Sequence, residues 1–436
     1  MRKIALISEH ASPLAPPGSV DSGGQNVYVA QVACQLARLG LRVDVFTRRD
    51  DARQEQVVRW RPGVRVIHVP AGPAHYIPKE AMLPHMEEFG DFMVRFARAE
   101  KTPYDLLHAN FFMSGMAARH VRRTLGIPYV ITFHALGLVR RLHQGSADGF
   151  PAERMTIEAE LMQDAERIIA ECPQDRQDME RLYGAPGSRI DIVPCGYDPG
   201  ELWPVRSSAR RRLGLGIERN EFLVLQLGRM VARKGVDNVI RSIAVLRDTY
   251  GVPARLVIVG SDAAGNEVGA SPELRRLTGL CEQLGLSDRV LFAGRQPRNR
   301  LRYYYSAADA FVTTPWYEPF GITPVEAMAC GAPVIGAEVG GIKDTVVDGV
   351  TGYLVPPNDP DAVAQRLALL HNAPEHARHM GREGIRRAGS RYTWQSVAQR
   401  IATAYESALR LPAQAPARRA PRTTTILQPR EIQWTN

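Results

Sequence analysis

The sequence predicts an α/β protein of two domains, each built on a parallel sheet with helices covering both faces. Three observations carry that expectation. Apolar runs of strand length alternate with helix-period segments from the first residues onward, the pattern of repeated βαβ units. The alternation halts at a turn-rich stretch, Pro194-Cys195-Gly196-Tyr197-Asp198-Pro199-Gly200 followed by Trp203-Pro204, and then restarts. At 436 residues the chain is also too long for one ordinary core, and two domains of roughly 200 residues are expected.

In order, Lys3–Ser8 reads as a buried first strand; Glu9 and His10 end its apolar run too early for a signal peptide. Gln25–Leu39 has helical periodicity and stops at Gly40. Strands follow at Arg42–Thr47, Val64–Val69, Leu106–Ala109 and Tyr129–Phe133, with short ones at Arg167–Glu171 and Asp191–Val193. The second half repeats the plan: a strand at Phe222–Leu227, a helix at Val236–Tyr250, then strands at Ala254–Val259, Val290–Phe292, Ala310–Thr313 and Val334–Gly336. A last amphipathic helix covers about 392–411. The expected organisation is therefore an N-terminal domain over 1–204, a second domain over 205–391, and the 392–411 helix packing back on the first. The Pro-, Ala-, Arg- and Thr-rich segment 412–436 lacks sustained periodicity and is expected to be disordered.

Composition narrows the function classes. A hydrophobic content of 44% and a charged content of 23% describe a soluble globular protein, and no apolar run approaches the ~18 residues that span a bilayer. A cytoplasmic protein is expected. Cys34, Cys172, Cys195, Cys281 and Cys330 are scattered and never form a Cys-x-x-Cys pair, which argues against a disulfide framework or a zinc site. His371, His376 and His379 cluster on an arginine-rich polar helix and read as a solvated face, so no metal is expected. Net charge is +9, with only five lysines, which leaves 55 − 5 = 50 arginines. That charge could draw the protein toward anionic substrates, nucleic acid or lipid head groups, but no arginine run is interleaved with aromatics as a nucleic-acid groove requires, and no nucleic-acid partner is expected.

Four loops after strands, and one helix start, carry the chemistry. The stretch Glu318-Pro319-Phe320-Gly321-Ile322-Thr323-Pro324-Val325-Glu326 places two acids on either side of a loop-to-helix junction, with Thr323 reading as N-cap and Pro324 as first helical residue. The free N–H groups of that helix would face an anion above the Phe320-Gly321-Ile322 turn. Thr323-x-x-Glu326 is equally a capping box, in which Glu326 bonds back to the Thr323 backbone, and the sequence leaves the two readings open. Gly228-Arg229-Met230-Val231-Ala232-Arg233-Lys234-Gly235 offers a guanidinium and an ammonium that could clamp a diphosphate, or a solvated basic loop. Gly23-Gly24 at a helix start lets backbone approach a phosphate or a hydroxyl-rich ligand, or marks a tight turn. No Gly-x-Gly-x-x-Gly accompanies it, so dinucleotide redox chemistry gains little support. His134 ends the Tyr129–Phe133 strand, where it could meet a sugar or serve the core. Gly294-Arg295-Gln296-Pro297 could contact a base or be a plain loop.

Together these segments resemble the glycosyltransferases of family four, retaining enzymes of two Rossmann-like domains facing across a cleft, the GT-B architecture. The similarity covers about residues 1–410. Its specific signature is the pair Gly-Arg-x-x-x-x-Lys-Gly and Glu-x-Phe-Gly with a second Glu eight positions on. Within the family, Gly23-Gly24-Gln25-Asn26-Val27-Tyr28-Val29, Val43-Asp44-Val45-Phe46-Thr47-Arg48-Arg49 and Pro78-Lys79-Glu80 are similar to sucrose-phosphate synthases and to the inositol-phosphate glycosyltransferase of mycothiol synthesis.

The resemblance implies roles. Arg229 and Lys234 would neutralise the departing diphosphate, Glu318 would bind donor-sugar hydroxyls beside the backbone of Phe320, Gly321 and Ile322, and Glu326 would hold the ribose. Gly23 and Gly24 would close over the donor, and His134 would contact the sugar near the reacting carbon. Thr323 and Arg295 join the expected donor set. The donor implied is a nucleotide sugar, UDP-glucose by family weight, and no metal or further cofactor is needed. Asn26, Lys79 and Arg154 match the acceptor-side pattern. Phe111 and Ala135 stand where mycothiol-type enzymes use tyrosine and threonine on an acceptor phosphate, so the acceptor is expected to be small and polar, with a phosphate compatible but weakened. The rivals are a membrane-surface transferase acting on a lipid-linked acceptor, for which Arg119 to Arg123 is the candidate basic face, and a non-catalytic sugar-nucleotide sensor.

Overall fold

The structure is a computed structural model that describes residues 2–15, 23–145, 148–205, 208–216, 221–260 and 272–410. The expected disordered segment 412–436 lies outside the described residues. The chain divides into two compact units, one running through Pro194 and resuming at Trp394, the other spanning Cys195–Thr393.

The first unit runs β1 (Lys3–Ile7), α1 (Gly24–Arg38), β2 (Arg42–Arg48), β3 (Val57–Arg61), β4 (Val64–Val69), α2 (Met86–Ala99), β5 (Leu106–Asn110), α3 (Phe112–Leu125), β6 (Tyr129–Thr132), α4 (Gly137–Gln144), α5 (Glu153–Asp164), β7 (Arg167–Ala170), α6 (Pro173–Tyr183) and β8 (Ile190–Ile192). Its eight strands lie in the order β3-β4-β2-β1-β5-β6-β7-β8. All pairings are parallel except β3 with β4. Strand β3 departs from the all-parallel expectation and sits at the edge: its exposure alternates, with Arg59 and Arg61 exposed and Val58 and Trp60 half-buried, where a central strand would bury an apolar run.

The second unit runs α7 (Ala209–Leu213), β9 (Phe222–Leu227), α8 (Val236–Tyr250), β10 (Ala254–Val259), α9 (Pro272–Gln283), β11 (Val290–Gly294), α10 (Arg298–Ala307), β12 (Ala310–Thr313), α11 (Ile322–Ala329), β13 (Val334–Ala337), α12 (Ile342–Thr345), β14 (Gly352–Val355), α13 (Pro360–Asn372) and α14 (Pro374–Arg391). The six strands are ordered β11-β10-β9-β12-β13-β14, all parallel. Helix α15 (Trp394–Arg410) then belongs to the first unit, packing on α1, β6 and β7.

The turn-rich stretch after Pro194 belongs to the second unit, so the division precedes it; the sequence reading placed it after Trp203-Pro204. The reason is hydrogen bonding: the Tyr197 N–H donates to Tyr392 O (2.8 Å), Glu201 pairs with Arg298, and the Val205 N–H donates to Ser306 Oγ (2.9 Å).

Both sheets reverse their strand order at the first strand of the unit, β1 between β2 and β5, β9 between β10 and β12. Open α/β sheets bind ligands beyond the carboxyl ends of strands at such switch points. The loops after β1, β5, β9 and β12 begin there, and they carry most of the sequence-singled residues.

Candidate functional site

In the second unit the basic loop and the acid loop are stitched together. Gly235 sits at φ 61°, and a Cβ there would lie 2.0 Å from Thr314 O, so only glycine lets the loop end lie against the segment leaving β12. The Thr314 hydroxyl donates to Gly235 O (3.0 Å), and the Trp316 N–H donates to Arg233 O (2.9 Å). These contacts bring Lys234 Nζ onto Glu318 Oε2, with Arg233 Nη1 3.9 Å from the same oxygen. The Arg233 guanidinium lies over the Tyr317 ring at 5.3 Å. From the other side, the Gly341 N–H donates to Glu318 O (3.1 Å), and a Cβ on Gly340 would come within 1.8 Å of that oxygen. Arg229, at the head of the loop, is exposed.

The charges perturb one another. Burial lowers the Lys234 ammonium below its usual range, opposed by Glu318 and reinforced by Arg233 and Arg229. Burial works to raise the Glu318 carboxyl, but Lys234 and Arg233 together hold it below the usual carboxylate range.

Helix α11 corrects the expected junction. Gly321, at φ 87°, is the N-cap, and Ile322 is the first helical residue. Thr323 is therefore inside the helix and does not cap it, because Gly321 takes the left-handed turn one residue after Phe320. Pro324 falls at the third position and removes one N–H from the first turn. The capping-box reading of Glu326 fails with it. Glu326 is 3% exposed; its Oε2 accepts from the Tyr305 hydroxyl (2.9 Å) and its Oε1 lies 3.0 Å from Arg298 Nη1. Glu318 and Glu326 thus serve different partners. Arg295 is half-buried after β11, in a loop held by Gln296 Nε2 donating to Ala293 O (2.6 Å). Phe320 is buried and packs on Tyr392.

In the first unit, Gly23 is the N-cap of α1 with extended backbone, and Gly24 opens the helix. A Cβ on Gly23 would meet nothing within 4 Å among the described residues. Asn26 is committed locally: its Oδ1 accepts from the Gly23 N–H (3.0 Å) and its Nδ2 donates to Ser12 O (3.0 Å). His134 follows β6 with a left-handed backbone, φ 59°. Its Nδ1 lies 2.9 Å from Glu171 Oε1, its Nε2 lies 3.1 Å from Asn110 Oδ1, and its ring meets Tyr28 edge-to-face at 4.7 Å. Phe111, after β5, is likewise at positive φ, 93°. These two non-glycine residues of positive φ lie at the ends of the neighbouring strands β6 and β5.

Lys79 opens a short 3-10 turn and is half-buried. Arg154 is fully buried, which the acceptor-side expectation did not foresee. Its Nε donates to Glu158 Oε1 (2.7 Å), its Nη2 donates to Ala135 O, and its guanidinium lies 4.5–4.9 Å from the ring centres of Phe111, Phe112 and Phe150. Nη1 is buried without a hydrogen-bond partner among the described residues. Among the residues that the sequence reading missed, Arg233 adjoins Lys234 in the same loop, and Asn110 and Glu171 are polar residues at strand ends, a signal that was readable.

The basic face at Arg119–Arg123 is matched by acids: Arg119 pairs with Glu160, and Arg122 with Asp164 and Glu166. No helix among the described residues is long and apolar enough to cross a membrane.

Solved structures share this architecture. The sucrose-phosphate synthase from Thermosynechococcus elongatus matches with a TM-score of 0.84 and 33% identity over 93% of this chain and 98% of that one. Anabaena HepE, solved in complex with UDP-glucose, matches with a TM-score of 0.72 at 22% identity, over 93% and 100%, a likeness of fold. The two parallel α/β units, with a basic loop and an acid loop at a switch point, are those of a GT-B glycosyltransferase. The family description "Glycosyl transferases group 1" matches residues 209–387, and "Glycosyl transferase 4-like domain" matches 23–196. D-inositol 3-phosphate glycosyltransferases from Acidothermus cellulolyticus and Segniliparus rotundus are 37% and 35% identical, over 94% and 96% of this chain and 91% and 92% of theirs. The chain belongs to this glycosyltransferase family, family four.

Proposed function

We propose that the protein transfers a hexose, with retention, from a nucleoside diphosphate sugar to a small polyhydroxy acceptor, with UDP-glucose as donor and a phosphorylated polyol as the finer reading of the acceptor. The carrying observation is the Lys234–Glu318 pair, held by glycine contacts at the switch point of the second unit. Before donor arrives each charge satisfies the other. A diphosphate would compete with Glu318 for Lys234, drawing the ammonium to the leaving group and freeing the carboxylate for sugar hydroxyls. Arg229, exposed above, and the Ile322 and Thr323 N–H groups at the head of α11 add fixed positive potential. These groups supply what a divalent ion would otherwise provide, and the chemistry proposed uses no metal.

On the acceptor side, Gly23 has no described residue within 4 Å of where a Cβ would stand, which supports close approach of a ligand. The unpartnered Nη1 of Arg154 keeps one donor for an anionic group that displaces the phenylalanines. The names of the inositol-phosphate relatives support the same reading. The test is a transfer assay with a panel of nucleotide sugars against inositol, inositol phosphates and sugar phosphates, the product anomer being read by NMR. Consumption of none of the donors, or unaltered turnover in Lys234→Ala and Glu318→Gln, sinks the proposal.

A further inference from the structure

Lys234 shares Glu318 with a second cation that does not yet touch it. Arg233 Nη1 lies 3.9 Å from Oε2, the same oxygen that Lys234 occupies. That is roughly 1 Å beyond hydrogen-bond reach. This Nη1 is buried, and among the described residues it has no hydrogen-bond partner.

The side chain is held where it is by other contacts. Ala232–Lys234 forms a 3-10 turn, and the Trp316 N–H donates to Arg233 O (2.9 Å). The guanidinium lies over the buried Tyr317 ring, 5.3 Å from its centre. Tyr317 directly precedes Glu318, so this stack keeps Arg233 beside the carboxylate independently of Lys234.

The two cations act differently. Lys234 is a compact ammonium on a flexible stem, whereas Arg233 is a planar fork resting on a ring. Burial lowers the Lys234 ammonium against the pull of Glu318, and Arg233 lowers it further. Burial works to raise the Glu318 carboxyl, and Lys234 and then Arg233 outweigh it. Arg233 therefore attracts the carboxylate and repels the ammonium, which favours parting the pair. The Glu318 side chain is only 14% exposed, and a buried charge stripped of its partner is strongly destabilising. A ligand that took Lys234 away would leave Glu318 in that condition unless a second cation closed on it.

We propose that Arg233 is a positioning residue for Glu318: when a diphosphate draws Lys234 away, the Arg233 Nη1–H closes on Oε2 and holds the carboxylate ready for sugar hydroxyls. The two carboxylate oxygens have lone pairs for this N–H and for hydroxyls together. The arrival of the diphosphate rests on the glycosyl-transfer reading; the exchange of cations on Glu318 does not.

The test has two arms, both on the full chain. The first needs no ligand: urea midpoints are measured for wild type, Arg233→Met, Lys234→Met and the double variant. Each single variant leaves Glu318 one cation, so the midpoint shift of the double variant should exceed the sum of the single shifts. A double variant that fails to fold where both singles fold is the same result in extreme form. Additive shifts, or a Lys234→Met chain that does not fold with Arg233 intact, overturn the proposal. The second arm titrates UDP, ADP and GDP by calorimetry. Arg233→Met should weaken binding of the preferred diphosphate at least tenfold, with partial recovery in Arg233→Lys. In a Glu318→Gln background the same substitution should change affinity less than about threefold, because no carboxylate charge is then left behind. An equal loss in that background makes Arg233 a direct phosphate ligand and overturns the positioning role, as does unchanged affinity in Arg233→Met. Binding of none of the three diphosphates, with the first arm as expected, overturns the proposed function and leaves the exchange on Glu318 intact.

Discussion

Glu318 and Glu326 flank one short turn, yet they meet different partners and are legible to different degrees. Glu318 has no local duty in the sequence, and the structure sets it on Lys234. Glu326 has an obvious local duty, the capping box, and the structure gives it to Tyr305 and Arg298 instead. The misreading has a physical cause: the left-handed φ of 87° at Gly321 starts the helix two residues earlier than Thr323 suggests, and backbone conformation at a glycine is not written in its neighbours' side chains. Arg154 shows the same limit. Its charge was visible, but its enclosure by three phenylalanines from separate parts of the chain was not. The residue-scale prediction follows from Lys234. Removing a fixed cation aimed at a leaving diphosphate should cost on the order of 10²–10³ in kcat. Steady-state assays of Lys234→Ala, with folding checked by circular dichroism, measure it, and a loss below tenfold would remove Lys234 from the leaving-group role.

At the scale of elements, the strands announced themselves because buried parallel strands are apolar runs. Those the sequence did not reveal, β3 and β14, are an arginine-bearing edge strand and a four-residue strand opening at Gly352, where a Cβ would lie 1.9 Å from Val334 O. The loop geometry was legible as composition but not as contact. Gly235 closes the basic-loop signature because the carbonyl of Thr314 occupies the space of a side chain. Gly235→Ala should therefore cost more than about 1 kcal/mol in denaturant unfolding and raise donor KM at least tenfold by shifting Lys234 from Glu318; a donor KM equal to wild type would sever that link. A second element-scale expectation concerns α15, whose Tyr405 meets buried His108 on β5. Burial lowers this histidine from 6.5 to about 3. As pH falls below 6.5 the unfolded chain takes up a proton that the folded chain refuses, so stability falls with pH until the folded group titrates near 3. Linkage gives a loss of about 2 kcal/mol between pH 7.5 and pH 5 from this group. Urea unfolding at the two pH values should show it, and His108→Gln should remove most of that slope.

For the whole molecule, the order of elements makes the second unit an insertion in the first. Residues 195–393 form one unbroken segment with its own six-stranded sheet and its own apolar core. The first unit is interrupted: its sheet is complete by β8, but it regains α15 only after the entire second unit has been traversed. That helix is integral. Trp394, Val397, Ile401 and Tyr405 are all 1% exposed or less, Trp394 packs edge-to-face on Tyr28 at 5.9 Å, and Tyr405 hydrogen-bonds His108. Omitting α15 would expose that apolar surface and strip His108 of one partner, and burying a comparable set of side chains contributes about 1.5–3 kcal/mol each. Against the ~5–15 kcal/mol total stability of a typical domain, the deficit is prohibitive. The expectation is asymmetric. Residues 195–393 expressed alone should unfold cooperatively on heating, whereas 1–194 alone should lack a cooperative transition and regain one when 394–410 is joined to it by a flexible linker. Scanning calorimetry on the three chains decides it; a cooperative transition in 1–194 without the helix would show that α15 is an accessory to the first unit and not part of its core.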